Sequence, residues 1–262
     1  MNISIRQRAR AQKGRYAMTL AGCLLSLLIW TPDTSATQRD PATPPTVTLV
    51  TAHLLPYSIQ EGREQGFMVE LVREIERRLG TNRPVRFLPW PRAIRNTRLS
   101  PNHIIFPLTR TQEREPYFDW AIEVAPIHMV FVTLNGRRLD LEQARQLGAI
   151  AVQQDTPFEQ YLRQQGFTNL VVTTSAAPIP IRMLRAGRVQ AWFTARDLAA
   201  YSMKEQFVSG PISYSDPITS GHVYIALSKA FPDDLKDAYQ STYRAMLQDG
   251  TYQRIMSRYL RN

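Results

Sequence analysis

Two arginines stand just beyond an apolar run. Residues 109–120 read Thr-Arg-Thr-Gln-Glu-Arg-Glu-Pro-Tyr-Phe-Asp-Trp and directly follow Ile104–Leu108. A strand that runs into such a loop can hold Arg110 or Arg114 at the edge of a cleft. A guanidinium is a planar fork of donors that matches a carboxylate through two parallel bonds. The plainer use is a surface ion pair with Glu113 or Glu115, which contributes little to stability. His53, His103, His128 and His222 show no metal spacing, and there is no phosphate loop, nucleophile elbow or HExxH motif. No cofactor and no metal is expected.

The N-terminus bears on where such a cleft would work. Arg6, Arg8, Arg10, Lys13 and Arg15 precede an apolar run from Met18 to Trp30, and Thr34-Ser35-Ala36 follows it. This is the three-part pattern of a secretory signal peptide, with cleavage expected after Ala36 and a periplasmic product. The apolar run is short for a membrane span. Leu20-Ala21-Gly22-Cys23 looks like a lipoprotein box, but Leu24–Trp30 lies beyond the cysteine, so Cys23 reads as part of the signal core. It is the only cysteine, so the mature chain would have no disulfide, thiol nucleophile or thiolate metal site. The net charge is +10; losing 1–36 removes five bases and one acid and leaves +6. The bases beyond the signal are spread out, which argues against a nucleic-acid partner.

Alternating segments would position the arginines. Thr37–Thr46 is polar and proline-rich and reads as a disordered leader. Val47–Thr51 reads as strand, then Met68, Leu71, Val72, Ile75 and Leu79 recur at helical spacing before Gly80. Val85–Leu88 reads as strand, Arg92–Leu99 as helix and Ile104–Phe106 as strand. The order restarts with strand Ala149–Val152, helix Phe158–Gln165, strand Leu170–Thr173, helix Ile179–Ala186 and strand Val189–Phe193. His222–Leu227 is extended, and helices 232–247 and 251–260 meet at Asp249-Gly250-Thr251, where a left-handed cap is expected. Such βαβ order argues for parallel strands covered by helices, in two modest cores.

Several short motifs then fall in a familiar order. They are Pro56-Tyr57, Gly66-Phe67-Met68-Val69-Glu70-Leu71, Thr111-Gln112-Glu113-Arg114 with Phe118, Ala186-Gly187-Arg188-Val189-Gln190-Ala191 and Gln248-Asp249-Gly250-Thr251-Tyr252. Across residues 47–262 the chain resembles the bacterial extracellular solute-binding proteins, family 3, which serve polar amino-acid ABC transporters. Pro89-Trp90-Pro91-Arg92-Ala93 is similar to a subgroup whose ligands are often unassigned. The resemblance implies an α/β, type II periplasmic-binding-protein fold. Two lobes, 47–127 plus 223–262 and 128–222, would be joined by two hinge strands with the ligand cleft between them.

The resemblance also implies roles. Arg114 matches the arginine that grips a ligand carboxylate, while Arg110 has no such match. Tyr57 and Trp90 match pocket walls, Thr109 lies beside the same site, and Trp120 reads as core or hinge packing. Thr156 keeps the hydroxyl of a helix-start anion site, but Asp155 stands where relatives carry glycine. Ala195 stands where amino-acid binders carry an acid for the ligand ammonium; Asp197 lies two residues on, and Arg196 would suit a second anionic group. The expected function is a monomeric receptor that captures a small polar or carboxylate-bearing metabolite and delivers it to an inner-membrane ABC permease by hinge closure. The alternatives are a periplasmic cyclohexadienyl-type dehydratase, using Asp197, Asp155 or Glu123, and a soluble ligand-sensing subunit.

Overall fold

A computed structural model describes residues 46–260. The signal peptide expected over 1–36, and all of the 37–46 leader but its last residue, lie outside the described residues. Among the described residues no helix is long and apolar enough to cross a membrane.

Nine strands among the described residues form one sheet. β1 (Thr48–Thr51) pairs in parallel with β2 (Val85–Phe87) and β3 (His103–Thr109). β5 (Ile150–Gln153) pairs in parallel with β6 (Leu170–Thr173) and β7 (Ala191–Ala195). Between these two sets run β4 (Phe118–Thr133) and β9 (Thr219–Ser228), antiparallel to each other. β9 borders β3 and β4 borders β7, while the short β8 (Ser213–Tyr214) also pairs with β4. The expected βαβ order is present in both halves.

The helices follow from where apolar residues recur. In α1 (Phe67–Arg78) Phe67, Met68, Leu71, Val72 and Ile75 are fully buried, one stripe at helical spacing. α2 (Trp90–Leu99) begins two residues before the expected start, because Pro91 sits in its first turn, where a missing N–H costs nothing. α3 (Leu141–Arg145) is short and closed by an Asp140–Gln143 capping box. α4 (Pro157–Gln164) and α5 (Pro178–Arg185) also begin on proline. α6 (Arg196–Glu205) leaves directly from the end of β7 and was not expected from the sequence. α7 (Asp233–Gln248) and α8 (Thr251–Tyr259) are joined through Gly250 at φ 75°, the expected left-handed cap.

Polar ties hold α1 in place. Glu76 is 2% exposed and accepts from Thr81, from Arg83 and from the Tyr239 hydroxyl of α7. Glu74 accepts from Arg77 and Arg78 at 2.7–2.8 Å. The Arg77 hydrogen bond, above all, draws the Glu74 carboxyl down to about 2. A depressed carboxylate stabilises the fold above its unfolded pKa, and that contribution fades as pH falls from about 4.5 through 2. Arg77 is exposed, so solvent screening holds the contribution to about 0.5–1 kcal/mol. A Glu74→Gln variant should therefore unfold more easily than the parent at pH 7 and match it near pH 2. Urea melts across that range would show the two curves converging; a constant gap would refute the assignment.

Candidate functional site

Arg114 ends a single 3-10 turn, Gln112–Arg114, that follows β3 directly. Its Nη1 donates to the Thr109 carbonyl at 3.0 Å, and its Nη2 donates to the Asp155 carbonyl at 3.1 Å. Thr109 belongs to the first parallel set and Asp155 follows β5 in the second, so one guanidinium bridges both. No carboxylate among the described residues lies within ion-pair distance of Arg114. Burial lowers its pKa to about 10, against the opposing pull of Glu113 and Asp155, so it remains a cation at neutral pH. Two of its five N–H donors are used, which leaves three for another acceptor.

Arg110 has the plainer fate. Its Nε meets Glu115 at 2.6 Å, and its guanidinium lies over the Trp120 and Tyr224 rings. The two arginines that looked alike in sequence are thus divided: Arg110 is spent on a partly exposed ion pair, and Arg114 faces the cleft.

Behind Arg114 lies a chamber of about 40 Å³, lined by Tyr57, Trp90, Thr109, Arg114 and Thr156 together with apolar residues such as Phe158 and Val223. Five of the six residues expected at the site are therefore brought together. Tyr57 sits in a loop pinned by Gly66: Phe67 and Met68 donate to the carbonyls of Pro56 and Tyr57, and the Tyr57 ring packs on Phe67 at 5.0 Å. The Tyr57 hydroxyl is buried without a hydrogen-bond partner among the described residues. Burial, and then the charge of Asp197, push its pKa up. Trp90, 6% exposed, opens α2 between Pro89 and Pro91.

Asp197 is the residue that the chamber does not include. It stands in the first turn of α6, where burial raises its pKa against His128 and Arg196. Ala195, 1% exposed, ends β7 immediately before it. Outside the chamber, a groove of about 680 Å³ runs from Arg114 between α2 and α4, past Arg95, Arg98 and Tyr117.

The helix-start site differs from expectation in two ways. Thr156 is the N-cap of α4, and its hydroxyl is already engaged: it donates to the Gln153 carbonyl at 2.6 Å and accepts from Glu159 at 3.4 Å. Pro157, at the first helical position, has no N–H to offer an anion. Asp155, in turn, holds a left-handed backbone of the kind glycine favours, at φ 56°. Aspartate tolerates that region better than most residues, and this is what allows its carbonyl to meet Arg114. Asp155→Gly should stabilise the protein by a few tenths to about 1 kcal/mol, whereas Asp155→Val should destabilise it by at least that much. Chemical denaturation of the pair reads this out, and equal midpoints would exclude backbone strain at this position.

The histidines serve local roles: His53 accepts from the Gln60 amide, His103 meets the Pro101 carbonyl, His128 meets Ser220, and His222 approaches Glu123. No group of three metal-ligating side chains occurs among the described residues.

The sequence profile of the bacterial extracellular solute-binding proteins, family 3, matches residues 47–262. The chain belongs to this family. No curated protein sequence matches it. Among solved structures it is similar to an ancestral arginine-binding protein bound to arginine, at 20% identity and TM-score 0.73, covering 82% of this chain and 98% of that one. A histidine kinase sensor domain with similarity to periplasmic binding proteins aligns at 19% identity and TM-score 0.73, covering 81% and 96%. An ancestral amino-acid-binding protein described as a precursor of cyclohexadienyl dehydratase aligns at 18% identity and TM-score 0.70, covering 82% and 95%. At these identities the likeness establishes the fold. In this family member it is the type II periplasmic-binding-protein fold, two α/β lobes joined by two hinge strands.

Proposed function

We propose that the protein is a periplasmic receptor that captures a small carboxylate-bearing metabolite and delivers it to an inner-membrane ABC permease. The observation that supports this is Arg114, a half-buried cation without a carboxylate partner among the described residues, bridging Thr109 and Asp155 beside a chamber walled by Tyr57 and Trp90. Lobe one would comprise 47–127 and 223–262, and lobe two 128–222. β4 and β9 run between the two parallel sets and would be the hinge strands. A ligand held by Arg114 from one lobe and packed against Phe158 and Leu198 of the other favours the closed state by the energy of the second set of contacts.

The binding role is favoured over catalysis by the state of the acids. Glu123 accepts from the Tyr224 hydroxyl and approaches His222, and neither it nor Asp197 lines the chamber. Thermal unfolding against a library of amino acids, organic acids and amines tests this role. A ligand at a hundred times its Kd adds about 2.7 kcal/mol, or roughly 5–10 °C for a domain of this size. A shift with one class of carboxylate is the expected result. No shift with any carboxylate would overturn the reading. Uptake of that ligand by cells with and without the gene tests delivery.

A further inference from the structure

We propose that the ligand is a short 2-oxo or 2-hydroxy carboxylate of about three carbons, not an amino acid; this rests on the binding role just proposed. Four observations lead there.

The first is charge. Arg114 is the only charged residue lining the chamber, and Ala195, buried at the end of β7, brings no charge. Asp197 lies outside the lining. The charge of Asp197 is felt at Tyr57 but is already met by Arg196, so an α-ammonium carried into this space would be stripped of water without a countercharge in the lining itself. A carboxylate, by contrast, finds three unused guanidinium N–H donors.

The second is an orphan donor. The Tyr57 hydroxyl is buried and unpartnered, although the Tyr57 ring lines the chamber. Buried polar groups are nearly always hydrogen-bonded, and an exception at a binding site marks where a ligand atom completes the set. A hydroxyl here can donate to a carbonyl oxygen or exchange a bond with a ligand hydroxyl, whereas an ammonium has no lone pair to accept it.

The third is the hydroxyl at the start of α4. Thr156 already donates to Gln153, and Pro157 has no N–H. The start of α4 thus has little to offer an anion, which leaves Arg114 as the principal carboxylate anchor. The remaining wall is apolar, with Trp90, Ile127, Phe158 and Val223 against the ligand body.

The fourth is size. The two sides of the cleft already touch, through Arg114 to the Asp155 carbonyl and through the Tyr201 hydroxyl to Glu64 at 2.6 Å. The chamber between them is about 40 Å³. That is far below the roughly 300–1,000 Å³ of an ordinary small-molecule pocket, so the space suits a ligand of few heavy atoms and not a long side chain. The outer groove is larger but carries exposed arginines and Glu113, which water keeps solvated and which select weakly.

Four three-carbon acids that differ only at C2 make the test: pyruvate, lactate, alanine and propionate, titrated calorimetrically into the protein, Tyr57→Phe and Arg114→Gln. Pyruvate or lactate should bind about tenfold more tightly than propionate, the worth of one satisfied buried donor, and alanine should bind more weakly than propionate. Tyr57→Phe should bring the oxo or hydroxy acid down to the level of propionate and leave propionate unchanged. The free variant should melt no lower than the parent, since an unpartnered hydroxyl is being removed; a purely structural tyrosine would give the opposite. Arg114→Gln should abolish all binding. Alanine binding tightest, an unchanged order in Tyr57→Phe, or no binding by any of the four would overturn the proposal. If the four fail while a larger amino acid binds in an Arg114-dependent way, the receptor role stands and this ligand class falls. If no carboxylate of any kind binds, both fall.

Discussion

An Arg114→Ala variant is expected to keep its fold and to lose its ligand. Truncating one partner of a buried, hydrogen-bonded charge pair costs about 2–5 kcal/mol, which is roughly a thirtyfold to several-thousandfold loss of affinity. In the free protein the effects oppose each other. The carbonyls of Thr109 and Asp155 lose a donor, but a cation that burial has weakened toward a pKa of about 10 is removed as well. The free variant should therefore melt close to the parent, within about 1–2 kcal/mol. Arg114→Lys should recover only part of the affinity, because an ammonium is a point donor and cannot present a fork to two carboxylate oxygens. Calorimetric titration beside thermal melts separates the cases. A variant that binds as the parent does would remove Arg114 from the site, and one that fails to fold would make it a structural bridge instead.

Gly66→Ala is expected to be the more damaging change to the fold. Gly66 has φ 85° and ψ 144°, a region that essentially only glycine occupies. A Cβ there would lie 2.5 Å from the Tyr57 carbonyl oxygen and 2.7 Å from the Ser58 nitrogen, both backbone atoms that cannot rotate away. Backbone strain and overpacking together should cost about 2–6 kcal/mol. The damage should reach binding too, since the atoms displaced belong to the loop that carries Tyr57. Gly62→Ala is the control. Its φ is 114°, but no atom lies within 4 Å of the added methyl, so only the backbone penalty applies. Equal melting of the two variants would show that the contact with Tyr57 does not matter.

Much of this architecture is written locally in the chain. α1 is legible because five apolar residues recur at its period and Gly80 follows it. The α7–α8 junction is legible because Gly250 is what a left-handed cap calls for. Other elements are hidden for identifiable reasons. β4 is 16 residues long, but Pro126 interrupts it and its burial shifts from alternating to continuous along its length, so no single period describes it. α6 escapes because only one end of its apolar face is marked, and it starts without a capping side chain. At the site, the sequence shows which residue types are present but not how they are spent. Arg110 and Arg114 are separated only by which of them Glu115 reaches. Thr156 offers a hydroxyl in the sequence that the fold commits to a helix cap. The left-handed turn at Asp155 forms without a glycine, which the residue type alone would argue against.

The pairing of β3 with β9 has a consequence for how the molecule is made. Ile104 lies opposite Leu227, so the two partners are separated by more than a hundred residues of intervening chain. On a growing polypeptide β3 and β1 would emerge early and wait, their edge open, until β9, α7 and α8 are synthesised. Contacts so distant in sequence close slowly, because the entropy of ordering the loop is lost before the pairing compensates it. Strands waiting with an open edge are also those most prone to pair with a neighbouring chain. Such late closure makes the segment from β9 onward the point at which folding is committed.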